Sequence, residues 1–218
     1  MSKKALAFAK ADLALPEFFS GVFSEKDYQN LRIGRNLPII HPFFLPVQLL
    51  DRPACETDFD HLQIIPYVAI RTRTQGMTLI ASYQRGKGGA EGRLHDKYSI
   101  GFGGHVDSLP PAGESLSHHL ANECARELQE ELGLEVSHER MHRLVSNCCY
   151  LYIQDAEQDK VHLGLLLVLD VSESTVLKSL EEDQISNLAW TNVQDLREQA
   201  AAGRLENWSR IMVEEELV

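Results

Sequence analysis

Two β-rich runs, residues 63–72 (QIIPYVAIRT) and 77–84 (MTLIASYQ), flank Gln75-Gly76, and this pattern predicts a hairpin. A polar, glycine-rich loop over 85–97 follows, then a strand over 98–106 (YSIGFGGHV) that ends in glycines. From 115 to 132 the apolar positions Ala121, Cys124, Ala125, Leu128 and Leu132 recur at helical spacing, and Gly133 is placed to cap that helix. Two further strands are expected at 144–153 and 161–171, separated by the polar turn 154–160. An acidic loop over 181–187, a short strand at 188–190 and helices over 193–202 and 205–216 complete the pattern.

Residues 1–60 are less regular, with short helical-looking pieces and a proline-punctuated stretch over 37–46 (LPIIHPFFLP). Phe18, Phe19, Phe23, Ile39, Ile40, Phe43, Phe44 and Leu45 carry too much apolar area for a free tail. The chain therefore reads as an N-terminal extension, 1–60, packed on a domain over 61–218 or across a homodimer interface.

The helix over 115–132 carries the chemistry. At about 100° per residue, Glu127, Glu130 and Glu131 project from one face, and Glu123 joins them one turn earlier. Like charges at that spacing destabilise a helix slightly, so the stripe makes sense against a cation. Clustered hard oxygen ligands suit Mg²⁺ or Mn²⁺.

The run Arg126-Glu127-Leu128-Gln129-Glu130-Glu131-Leu132-Gly133-Leu134 resembles the second half of the Nudix box, R-E-U-x-E-E-x-G-U with U aliphatic. The first half is stretched: Gly103-Gly104 and Gly113-Glu114 resemble its start, but each interval is longer than in the family, and the loop contains Pro110-Pro111. The resemblance, closest to the MutT-like phosphoesterase branch, implies an α/β fold, the Nudix α/β/α sandwich with a mixed sheet. It implies a hydrolase cleaving a phosphoanhydride in a nucleotide-like diphosphate. Glu127, Glu130 and Glu131 become metal ligands, with the Gly104 carbonyl beside them, and Glu127, Glu130 and Arg126 become catalytic, Arg126 holding a glutamate by a salt bridge. The general base comes from the box or from a later loop, where Glu181, Glu182 and Asp183 stand, Glu182 being the choice made here. Two other readings are a nucleotide-binding regulator, which would normally have lost box carboxylates, and an isopentenyl diphosphate isomerase-like enzyme. The latter needs an active-site cysteine that the glycine-rich strand lacks.

Substrate contacts are expected from Arg85, Lys87 and Arg93 in the basic loop and from His105 after the glycine pair, whereas His118 and His119 are expected to face solvent. The formal net charge of -11 over 218 residues argues against a nucleic-acid partner. No apolar run approaches the roughly 20 residues that span a bilayer, and Lys10 and Asp12 interrupt any leader-like start, so the protein reads as cytoplasmic and not membrane-bound. Cys55, Cys124, Cys148 and Cys149 lack C-x-x-C spacing and read as packing residues.

Overall fold

The computed structural model describes residues 3–37, 41–86, 94, 96–157, 159–181 and 183–218. The first elements are β1 (Lys4–Ala9), α1 (Lys10–Leu13), β2 (Gly21–Phe23), α2 (Glu25–Gly34), β3 (Gln48–Asp51) and α3 (Arg52–Cys55). The hairpin follows as β4 (His61–Thr74) and β5 (Met77–Arg85), then β6 (Tyr98–Ser99), β7 (Gly101–Phe102) and the acidic helix α4 (Leu116–Leu132). Next come α5 (His138–Val145), β8 (Cys149–Tyr152), β9 (His162–Asp170), β10 (Ile185–Asn192), α6 (Val193–Ala201) and α7 (Asn207–Glu214). Backbone contacts divide the chain into two units, one of residues 1–67, 103–124 and 137–167, the other of 68–102, 125–136 and 168–218. β4, α4 and β9 each contribute residues to both.

In the first unit β1 lies antiparallel to β3, Leu6 facing Leu49, and antiparallel to the start of β4, Ala7 facing Gln63. Ala5 to Phe8 are all buried. A strand covered on both faces loses its period-two alternation, which is why the pattern of the first ten residues did not announce it. β2 pairs with β8, and β8 with β9, both antiparallel. Phe23 stacks on Tyr150 at 5.3 Å between ring centroids. Phe8, Phe43 and Leu45 line one small apolar cavity with Ile64, Leu116 and Leu120, so part of the N-terminal segment packs inside this unit. Burying a side chain of this size contributes about 1.5–3 kcal/mol. Phe18, 89% exposed, and Phe44, 77% exposed, are not covered by this chain itself. Ile39 and Ile40 lie outside the described residues.

In the second unit β5 pairs antiparallel with both β4 and β10, β6 with β5, and β7 with β4. A register shift between Ser186 and Ala189 is absorbed at Asn187, whose φ of 52° asparagine tolerates better than most residues. Asn192 caps α6 by accepting the Asp195 N–H at 2.8 Å. Arg71 on β4 grips Asp170 at the end of β9 with two hydrogen bonds, 2.7 and 2.9 Å. Gln63 and His162, earlier on the same two strands, stand at the same sequence offset, so β4 and β9 run parallel. A parallel pair among antiparallel ones makes the sheet mixed, and the fold α/β, as the sequence implied.

Two strand expectations are corrected: the run 98–106 pairs only as β6 and β7 and ends at Phe102, and no strand begins at 144. The segment expected to begin a strand at 144 is the end of α5, and β8 starts only at Cys149. Met141 and Val145, four residues apart and both buried, set the helical face, but eight residues give too short a periodic signal against the adjacent apolar pair Leu144-Val145.

Candidate active site

Ser115 opens α4, its hydroxyl accepting the His118 N–H at 3.3 Å. Leu116, Leu120, Ala121, Cys124, Leu128 and Leu132 are the buried side of the helix, and Glu123, Glu127, Glu130 and Glu131 lie off it, half-buried or exposed. In the second unit's part of the helix a single guanidinium serves two carboxylates. Arg126 donates one nitrogen to Glu127 at 2.6 Å and the other to Glu130 at 2.6 Å. Such charge-assisted bonds are short and directional, so they hold both glutamates in fixed rotamers. The Glu127 side chain is 18% exposed and that of Glu130 53%. Three carboxylates thus stand with this arginine on two turns of the helix. Gly133, at φ 63°, ends the helix, its N–H bonding the Gln129 carbonyl at 3.0 Å.

The acidic loop after β9 is tied to this helix end, for Leu180 donates its N–H to the Glu131 carbonyl at 2.8 Å. Glu181 closes the loop, its carbonyl accepting from Gln184 and Ile185 and its carboxylate from the Gln184 side chain at 2.8 Å. Gly86 then donates to the Gln184 carbonyl at 2.8 Å, and a Cβ on Gly86 would lie 2.2 Å from the Asp183 carbonyl oxygen, so only glycine fits there. Glu182, Lys87 and Arg93 lie outside the described residues. Arg85 is engaged by a partner the sequence did not suggest: its Nε bonds Glu206 at 3.0 Å. Glu206 is 5% exposed and also accepts from Ser99 at 2.6 Å and Ser209 at 3.3 Å. Neutralising a buried carboxylate is a structural task, and the Nε of Arg85 performs it.

The glycine pair belongs to the first unit. Gly103, at φ 135°, presses on β4 so closely that a Cβ would stand 2.4 Å from the Pro66 carbonyl oxygen. His105, two residues on, is 13% exposed at its side chain, and its ring meets Glu56 at 3.8 Å and the His162 ring at 5.4 Å between centroids. Burial first, then the positive charges of Arg52, His162 and Lys3, push its pKa down to about 2, so the ring is neutral and its approach to Glu56 is no ion pair. His105 therefore sits in a cluster with two residues that sequence reasoning missed, Glu56 and His162. No local motif links three positions so far apart.

His119 corrects another expectation: it is 5% exposed and reaches the Ser108 carbonyl at 3.0 Å, filling the inner side of α4. His118 is exposed, as expected, and stacks on His142 at 3.9 Å between centroids. Glu114 accepts from Asn122 at 2.8 Å, a bond across the first turns of α4.

No family model matches the chain. Over 198 residues it is 32% identical to Protein YmaB of Bacillus subtilis (strain 168), covering 90% of this chain and 87% of that protein. Among solved structures it is similar to Tm1382, provisionally described as a Nudix hydrolase, with a TM-score of 0.64 and 20% identity over 99% of this chain and 98% of that one. At that identity the second likeness is one of fold.

Proposed function

We propose that this chain, which belongs to the YmaB family and has the Nudix fold, hydrolyses a phosphoanhydride in a nucleoside diphosphate derivative or related pyrophosphate, using Mg²⁺ or Mn²⁺. The observation that carries the proposal is the Arg126 bridge to Glu127 and Glu130, one residue before Glu131. An arginine spent on holding two glutamates in place, on a face already rich in carboxylates, pre-organises oxygen donors for a cation. The donor set fits the ions named, since carboxylate oxygens suit small hard divalent cations. Glu127, Glu130 and Glu131 would hold the ion, which when bound offsets phosphate charge and lowers the pKa of water.

The remaining work falls to the chain's own groups. Arg126 keeps Glu127 and Glu130 from spending rotamer entropy during the reaction. Glu181 and Asp183 follow Leu180, which is anchored to the same helix, and with Glu182 they are the candidate general bases. We assign the proton of the attacking water to that loop, Glu182 first. A thiol-dependent isomerase is disfavoured: Cys55, Cys124 and Cys148 are buried, and burial raises the thiols of Cys55 and Cys149 and pushes Cys148 up to about 12.

The test is a panel of ADP-ribose, nucleotide sugars, dinucleoside polyphosphates, coenzymes and nucleoside triphosphates, each assayed with Mg²⁺ and with Mn²⁺. Turnover of at least one compound, abolished by a chelator and by Glu131→Gln, is expected. Absence of turnover across the panel, or turnover indifferent to Glu131→Gln, overturns the assignment.

A further inference from the structure

We propose that Glu56, His105 and His162 form a second metal site, distinct in composition from the acidic helix and suited to Zn²⁺, which ties together three segments of the first unit. Each of the three offers one ligand atom, and these atoms all lie within 4.8 Å of one another. Glu56 follows α3, His105 lies in the loop after β7, and His162 begins β9, so one ion would join elements distant in sequence.

One buried polar atom of the cluster supports the site independently. His105 Nε2 is buried without a hydrogen-bond partner, and so is Gln63 Oε1. Buried polar atoms are rarely left so, because an unmade hydrogen bond costs about 1–3 kcal/mol. The group facing His105 Nε2 is a Glu56 oxygen at 3.8 Å, beyond hydrogen-bond reach. A bare imidazole nitrogen and a carboxylate oxygen are both electron-pair donors, and a cation between them satisfies both. Gln63 supplies the outer contact, its amide nitrogen lying 3.2 Å from His162 Nε2. Turning the amide over lets Oε1 accept the ring proton instead, the support that metal-bound imidazoles usually have.

The chemistry selects the metal. Two imidazoles, borderline nitrogen donors, beside a single carboxylate make a ligand set that favours Zn²⁺ over Mg²⁺. Tetrahedral zinc, with bonds of about 2.0–2.2 Å, sets its ligand atoms about 3.3–3.6 Å apart, so closing the present cluster requires movements of about an ångström. Arg52, 3.8 Å from the same Glu56 oxygen, opposes a bound cation, but its side chain is 26% exposed and can turn toward solvent. The loop carrying His105 is held by Gly103 against Pro66, and Leu6 donates to the Val106 carbonyl at 2.7 Å, so this ligand starts pre-positioned.

The probe is Zn²⁺ alone, titrated calorimetrically into chelator-treated full-length protein in excess Mg²⁺, with melting temperature as a second readout. One ion per chain and a rise in melting temperature are expected. Glu56→Gln and His162→Gln should each weaken zinc binding by more than the roughly 10–100-fold that losing an outer-sphere partner costs. Glu56→Gln should do so with the metal-free melting temperature unchanged, so it decides the matter if His162→Gln fails to fold. Binding should persist in Glu131→Gln and His142→Gln. No zinc binding, or binding that survives Glu56→Gln, overturns the proposal, as does binding lost in Glu131→Gln or His142→Gln instead.

Discussion

The N–H of Leu180 donates to the carbonyl of Glu131 across 2.8 Å. That carbonyl is among the last four of α4, which have no partner within the helix. A loop residue therefore completes the end of the acidic helix, and the carboxylates of Glu181 and Asp183 follow within three residues. Gly133 makes this meeting work: its φ of 63° turns the chain, and a Cβ there would lie 3.4 Å from Leu180 Cδ1.

Gly133→Ala is expected to destabilise the protein by about 1 kcal/mol, since an alanine pays the left-handed backbone cost. Urea unfolding of the two proteins measures this. A midpoint unchanged by the substitution would show that the turn does not depend on glycine.

Arg126→Gln should lower kcat by about two orders of magnitude, the scale of a misplaced catalytic group, while costing less than about 1 kcal/mol of stability because the pair is solvent-screened. Arg126→Lys should recover only part of the rate, as a point charge cannot grip Glu127 and Glu130 together. The comparison requires kcat and melting temperature on the same preparations. A loss of stability proportionate to the loss of rate would make Arg126 a fold-supporting residue instead.

Arg85→Met should act on stability more than on catalysis. It leaves Glu206, 5% exposed, without its cation, and stripping one partner from a buried pair costs on the order of 3 kcal/mol, less here because Arg85 is a third exposed. A melting temperature that falls with KM nearly unchanged fits this role. The reverse outcome, a raised KM at constant stability, returns Arg85 to the substrate.

Stability should fall on acidification through the ordinary histidine range. Partial burial, then the charges of His118 and His138 stacked beside it, lower the pKa of His142. The unfolded chain therefore binds the proton more readily than the folded one, so the stability contributed is present above the unfolded pKa of about 6.5 and is lost as pH falls below it. His142→Gln should flatten the dependence of the urea midpoint between about pH 7.5 and 5.5. An identical slope in the variant would discount the stack.

The sequence by itself determined the acidic helix, because everything that specifies it is local. Its apolar spacing, the Arg126–Glu130 pair one turn apart, the Ser115 cap and the glycine stop all act within a few residues. The β4–β5 hairpin was legible for the same reason, its turn lying between two strands contiguous in sequence. Tertiary structure decided the rest. β1 is buried on both faces and carries no alternation to read, and α5 is too short for its period to outweigh two adjacent apolar residues. Arg85 and His105 are the instructive pair: the neighbours that the fold gives them, Glu206 for the one and Glu56 and His162 for the other, lie far off in sequence. What surrounds a buried polar group is decided by the fold, and a sequence pattern of a few residues contains no information about a neighbour fifty or a hundred residues away.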